Sequence, residues 1–183
     1  MKKLTLLALA LSLALPAAAQ AQDISYTYLE GGYTRIESAA EADGWAVNGS
    51  AAISDDFHVF AGYSQSDING FGVDLDIFNV GIGYNHAFTN TVHGLARFGY
   101  ENLDTNLGGS IDAWFTEVGV RAALGSHVEG WALAGYEDPE DFSGDFYAKI
   151  GTLINITPRV GLSAEVKLID GDQQYFVGPR ISF

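Results

Sequence analysis

Over much of this chain, apolar side chains return at every second position, a rhythm that extended backbone produces and a helix does not. Between Val92 and Glu101, one parity carries Val92, Gly94, Ala96, Phe98 and Tyr100, and the other His93, Leu95, Arg97, Gly99 and Glu101. The same split separates Val160, Leu162, Ala164, Val166 and Leu168 from Gly161, Ser163, Glu165 and Lys167. It also separates Trp114, Thr116, Val118 and Val120 from Phe115, Glu117, Gly119 and Arg121, and Phe78, Val80, Ile82 and Tyr84 from Asn79, Gly81, Gly83 and Asn85. Charges held to one parity describe a sheet with one face in an apolar medium and the other enclosed and polar.

The alternation is organised as a repeat. Segments opening at Phe57, Val92, Val128 and Val160 end at Tyr63, Tyr100, Tyr136 and Leu168, which are 37, 36 and 32 positions apart. That period suits one β-hairpin with its connections. The patterning predicts ten strands, at 24–36, 43–53, 57–66, 74–87, 91–101, 111–124, 128–137, 144–156, 160–169 and 173–183. The expected fold is all-β, an antiparallel up-and-down transmembrane β-barrel. Eight strands are the alternative if the first hairpin, weakly patterned at Ala39-Ala40-Glu41-Ala42, is not two full strands. An even count returns both termini to the periplasmic side. Beyond the leader, no apolar run reaches the about 20 residues that a spanning helix needs.

Both ends of the chain carry export signals. Lys2 and Lys3, the apolar run Leu4 to Leu15, and Ala19-Gln20-Ala21 read as a secretory signal peptide at 1–21, leaving a barrel domain at 22–183. At the other end Tyr175, Val177, Ile181 and Phe183 alternate with polar or small residues and close on an aromatic, the form of a last strand presented to the barrel-assembly machinery. The expected location is the outer membrane. There is no cysteine, which removes disulfides, thiolate metal sites and a Cys nucleophile. Acidic residues number 23 against 9 basic ones, two of which lie in the leader, so nucleic acid is not an expected partner.

This topology puts tight turns at Ser54-Asp55-Asp56, Thr89-Asn90, Gly125-Ser126 and Thr157-Pro158-Arg159 on the periplasmic side, and short connections near 37–43, 67–73, 102–110, 138–143 and 170–172 outside. Aromatics gather at the outer strand ends (Trp45, Tyr63, Phe78, Tyr100, Trp114, Tyr136, Phe146, Tyr175) and at the inner ends (Phe57, Tyr84, Phe88, Phe183), as interfacial girdles do. The outer rim reads as acidic: Glu37, Glu41, Asp43, Asp67, Asp74, Asp76, Glu101, Asp104, Asp112, Glu137, Asp138, Glu140, Asp141, Asp145, Asp170 and Asp172. Such a rim keeps loops hydrated. A second reading gives it divalent cations shared with lipopolysaccharide phosphates, the best cluster being Asp138, Glu140 and Asp141, although no stretch has the spacing of a Ca²⁺ loop.

The inner parity collects Glu30, Arg97, Glu117, Arg121, Glu129, Lys149, Glu165, Lys167 and Arg180, with His58 and His93. Enclosed ions persist when paired or hydrated, so mixed signs at similar depth predict a ladder of salt bridges. Inward Phe60, Leu95, Phe115, Trp131, Leu133, Tyr147 and Phe176, given room by Gly62, Gly81, Gly83, Gly99, Gly119, Gly135 and Gly151, predict a lumen largely plugged by side chains. A charged pore lining, that of a narrow diffusion channel, is the alternative. No enzyme and no cofactor are expected. His58, His86, His93 and His127 all fall near periplasmic turns, and the adjacent pair Ser126-His127 would point to opposite faces of a strand.

Several stretches resemble a known family. Tyr28-Leu29-Glu30-Gly31-Gly32-Tyr33, Asp43-Gly44-Trp45 with Gly49-Ser50, Phe57-His58-Val59-Phe60 leading to Tyr63-Ser64, and Val80-Gly81-Ile82-Gly83-Tyr84-Asn85 look like the small outer-membrane proteins of xanthomonad-type bacteria called the sulfation-dependent quorum factor or immune-activator family. The resemblance covers most of the chain beyond the leader and transfers no catalytic residue. It implies a small outer-membrane barrel, shed in vesicles, with a role in cell–cell signalling or host perception. The expected function is an envelope-structural or surface-interaction role for a barrel embedded in outer-membrane lipid and lipopolysaccharide.

Overall fold

The computed structural model describes residues 24–38, 40–140 and 142–183, so the leader and its cleavage site lie outside the described residues, as do Ala39 and Asp141. Ten strands follow one another: β1 (Tyr28–Glu37), β2 (Ala42–Ala52), β3 (Phe57–Ile68), β4 (Val73–Thr89), β5 (Val92–Thr105), β6 (Ser110–Ala123), β7 (Val128–Pro139), β8 (Asp145–Asn155), β9 (Val160–Ile169) and β10 (Asp172–Ser182). Each pairs antiparallel with its chain neighbours, and β1 pairs with β10 to close the barrel. The first hairpin is complete, running from Tyr28↔Ser50 to Ile36↔Ala42. Ten strands, not eight, therefore form the wall.

Two boundaries differ by several residues from the sequence expectation. β5 continues to Thr105, because its polar outer end still finds a ladder partner in β4 at Leu75. β1 begins at Tyr28 instead of 24. Ile24 and Tyr26 keep the alternation of a strand but are buried against Ala123 and Leu95, so this segment turns into the barrel. The last outer connection is the two-residue turn Asp170-Gly171, both at positive φ (42° and 90°), a conformation that glycine supplies at no steric cost.

The outer surface is an apolar belt. Leu29, Val47, Val59, Val80, Ile82, Phe98, Val118, Ile150, Leu162 and Val177 are all exposed, which in water would be an aggregation surface and in lipid is the expected coat. Rings pack along both margins of the belt: Trp45 with Tyr63, Tyr100 with Trp114 and Tyr136 with Phe146 at one end, Phe57 with Tyr84 at the other.

Inside, glycines set the spacing. A glycine facing the lumen lets residues on its two flanking strands meet above it. Gly135 lies in register with Glu117 on one side and Tyr147 on the other; a Cβ there would come within 2.2 Å of the Tyr147 ring. Gly151 stands in the same relation to Trp131 and Glu165. Gly81 and Gly99 together separate Phe60 from Phe115, whose rings approach to 6.1 Å across them. At the closing seam the β1–β10 ladder skips Gly31–Gly32 opposite Gly178–Pro179. Pro179 has no N–H to give, and the Gly32 and Gly178 backbones come into close contact there.

Candidate functional site: the charged lumen

Glu117, from the middle of β6, is 1% exposed and is the hub of the lumen. Arg97 faces it directly in register on β5 and forms an ion pair with it. From β8, Lys149 Nζ lies 2.7 Å from its Oε1, and the Tyr147 hydroxyl donates to the same oxygen at 2.8 Å, reaching over Gly135. One carboxylate thus ties β5, β6 and β8 together across the interior. The same strategy recurs nearby: the Trp131 indole N–H crosses Gly151 to donate to Glu165 at 2.6 Å. Arg180 Nε donates to Glu30 at 2.7 Å and its guanidinium lies 4.0 Å from the Tyr28 ring centroid. Lys149 and Lys167 face each other in register, a repulsive juxtaposition relieved because each has its own carboxylate, Lys167 pairing with Glu137 at 2.5 Å.

The periplasmic mouth is closed by the segment that precedes β1. Tyr26 stacks on His58 at 4.9 Å and on His93 at 5.8 Å, and its hydroxyl is hydrogen-bonded to His93 Nδ1 at 3.1 Å. Ser50 donates to the Tyr26 carbonyl, and Arg121 donates to the Ser25 carbonyl at 2.9 Å while its other nitrogens hold Glu129. His58 is fixed from behind by Asn85. Burial pushes the Tyr26 phenol up to about 12, so it keeps its proton. The rings and hydrogen bonds around Tyr26 contribute about 0.5–1.5 kcal/mol each. Tyr26→Ala is therefore expected to loosen the mouth. With Leu95→Cys as reporter in this cysteine-free chain, maleimide labelling from the periplasmic side should run roughly tenfold faster than with Tyr26 present. Equal rates would mean that the segment does not cover the mouth.

Among the described residues a cavity of about 140 Å³ lies behind the Tyr26 closure and another of about 150 Å³ lies toward the outer end. Asn48, Asn79, Glu101, Lys149, Glu165 and Lys167 line both and form the partition between them.

All nine charged residues expected inward face the lumen, where the ion pairs and hydrogen bonds above hold them. Glu101 and Glu137, expected on the outer rim, also point inward; their parity with Arg97 and Trp131 carried that signal, overridden by their closeness to the strand ends. Tyr26 and Tyr28 had no signal beyond the strand pattern. His86, near the end of β4, lies on the outer face with its ring between Tyr84 and Phe88. Ser126 and His127 do not point apart, because both lie in a turn, where Ser126 Oγ comes within 2.7 Å of His127 Nδ1 on the exposed surface. On the rim, Asp43, Asp67 and Asp74 stand opposite one another on β2, β3 and β4. Asp138 sits in β7 opposite Trp114, and Glu140 gives its amide to Asp112; among the described residues no three His, Asp or Glu side chains gather into a metal site. Tyr175, Val177 and Ile181 face outward on β10, and the amide of Phe183 bonds the Thr27 carbonyl beside the seam.

A closed antiparallel wall with an apolar coat and a polar, ion-paired interior has one setting. The chain is an outer-membrane β-barrel. No family model and no curated protein matches it. Solved structures do: a KdgM porin superposes with a TM-score of 0.52 at 12% identity, over 85% of this chain and 99% of its own. OprG from Pseudomonas aeruginosa gives 0.45 at 14% identity over 90% and 99%, and Ail, the attachment invasion locus protein of Yersinia pestis, 0.39 at 11% over 87% and 97%. At 12% identity the KdgM likeness speaks for the fold alone, and the lumen of this chain must be read from its own residues.

Proposed function

We propose that this barrel is a non-enzymatic envelope protein with a closed lumen, whose contribution is structural or made through its outer face. The observation that carries the reading is the three-way tie at Glu117, which crosses the interior at mid-depth, backed by the Tyr26 closure of the periplasmic mouth. Fixed ion pairs that span a narrow lumen leave side chains where a conduit would need water. A signalling role of the kind implied by the family resemblance would use the same outer face and the same closed interior.

A narrow channel is the second reading, and one feature favours it: the two cavities share six polar or charged lining residues. Single-channel recording of the refolded barrel in a planar bilayer separates the two. A closed lumen predicts no conductance steps from a barrel shown to be folded by its heat-modifiable gel mobility. Reproducible steps, altered in size or ion preference by Arg97→Ala, would replace the closed reading with the channel.

A further inference from the structure

The outer cavity has two unlike halves. Among the described residues the adjacent strands β10, β1, β2, β3 and β4 line it without a charge, while β5, β8 and β9 supply two carboxylates, Glu101 and Glu165, and two ammonium groups, Lys149 and Lys167. These charges match in number and call for no ion from outside. What is left without a partner is neutral. Among the described residues the side chains of Ser64, Asn79 and Gln174 make no hydrogen bond, and Asn48 commits only its amide nitrogen, to Glu30 at 3.4 Å. Phe176 is uncommitted as well. Phe60 and Phe115 pack on each other, Lys167 lies over the Tyr147 ring and Arg180 over Trp131, whereas among the described residues no ring or cation lies against Phe176.

We propose that the outer cavity binds a neutral monosaccharide, one face of its pyranose ring stacked on Phe176 and its hydroxyls held by Gln174 on the outer side and by Asn48 and Asn79 on the inner side. A hydroxyl both donates and accepts, and so does a primary amide, so free amides answer a ring of hydroxyls better than fixed charges do. The flat faces of a pyranose carry C–H bonds, which meet the negative face of an aromatic ring favourably. Register places these parts. Phe176 and Gln174 are successive inward positions on β10, opposite Thr34 and Ile36 of β1. Asn48 and Asn79 flank Gly62 in one row and meet over it, where a Cβ would come within 2.5 Å of Asn48 Oδ1 and 3.0 Å of Asn79 Oδ1. Glu165, opposite Phe176 on β9, accepts the Trp131 indole N–H on one oxygen and keeps the other for a sugar hydroxyl. The cavity of about 150 Å³ admits one such ring. Binding here neither requires nor excludes conductance, which tests the closed lumen separately.

The test is titration of the full refolded barrel with methyl β-D-glucopyranoside, in a zwitterionic detergent that has no sugar headgroup, read by calorimetry and by saturation-transfer NMR of the sugar protons. Saturable binding is expected, weakened about tenfold in Phe176→Leu, which keeps the bulk and loses the ring, and retained in Phe176→Tyr and in Glu37→Gln on the exposed rim. Gln174→Ala removes a side chain that bonds nothing in the barrel, so it should fold as the parent does and bind about threefold more weakly. Absence of saturable binding overturns the proposal and would mean that water alone fills the cavity. Equal binding by Phe176→Leu overturns it, as does equal binding of glycerol, which has hydroxyls but no ring face, or of benzyl alcohol, which has a ring but one hydroxyl. Tighter binding of the corresponding glucuronide or glucosaminide would show the charged half to be unbalanced and would overturn it too. Should Phe176→Leu give no folded band on unheated gels, Gln174→Ala and the competing ligands decide the matter.

Discussion

Gly178→Val is expected to prevent the chain from closing into a barrel. A Cβ at this position would lie 2.2 Å from the Gly31 carbonyl oxygen and 2.6 Å from Gly32 Cα, and a Cβ on Gly32 would meet the Val177 oxygen at 2.1 Å. These are backbone atoms of the two strands that form the seam, so no rotamer change relieves the clash. A typical overpacked interior site costs about 1–3 kcal/mol; here the cost falls on the β1–β10 pairing itself, where the ladder is already interrupted at Pro179. The fast-migrating folded band on unheated gels should be lost in Gly178→Val. Gly49→Ala, whose Cβ would make ordinary 3.7 Å contacts, should keep it, within about 0.5 kcal/mol of the parent. A folded Gly178→Val barrel would show that the seam is not packed this closely.

Glu117→Ala is expected to cost about 3–5 kcal/mol, the penalty of leaving buried cations without their partner. Arg97 and Lys149 both lose their carboxylate and Tyr147 loses its acceptor. Urea unfolding in lipid vesicles, followed by the fluorescence of Trp131 and the two girdle tryptophans, would measure it. Lys149→Met alone should cost less, because Arg97 and Tyr147 still hold Glu117. A double-mutant cycle between Glu117 and Lys149 should give a coupling within the range of about 0.5–3 kcal/mol typical of contacting residues. Zero coupling would mean that the ammonium at 2.7 Å is balanced by water instead.

These two sites differ in how they are written in the chain. The faces were legible: the parity that puts Leu162 and Leu168 in lipid puts Glu165 and Lys167 inside, and the structure has them there. The same parity spoke for Glu101 and Glu137, yet nearness to an acidic loop argued for the rim, since distance along a strand does not say where a lumen ends. Tyr26 was misplaced for a related reason. Its alternation with Ile24 and Tyr28 fits a strand, and only the absence of a ladder partner before Tyr28 turns it inward onto His58 and His93. The glycines were recognisable as inward, but which rings they make room for depends on which residues share their row.

Period-two patterning and the lack of a spanning apolar helix run determined, from the chain alone, a sheet that must close on itself with lipid outside and charge within, because neither an open edge nor a bare ion survives in a bilayer. Only the tertiary structure decided who meets whom. Closure brings Glu30 to Arg180, 150 positions away along the chain. Register brings Glu117 to Arg97 and, over Gly135, to Tyr147, and sets Lys149 against Lys167. Alternation specifies a face; depth and partner come from the stagger of strands around a closed ring, a property of the whole wall that no single segment carries.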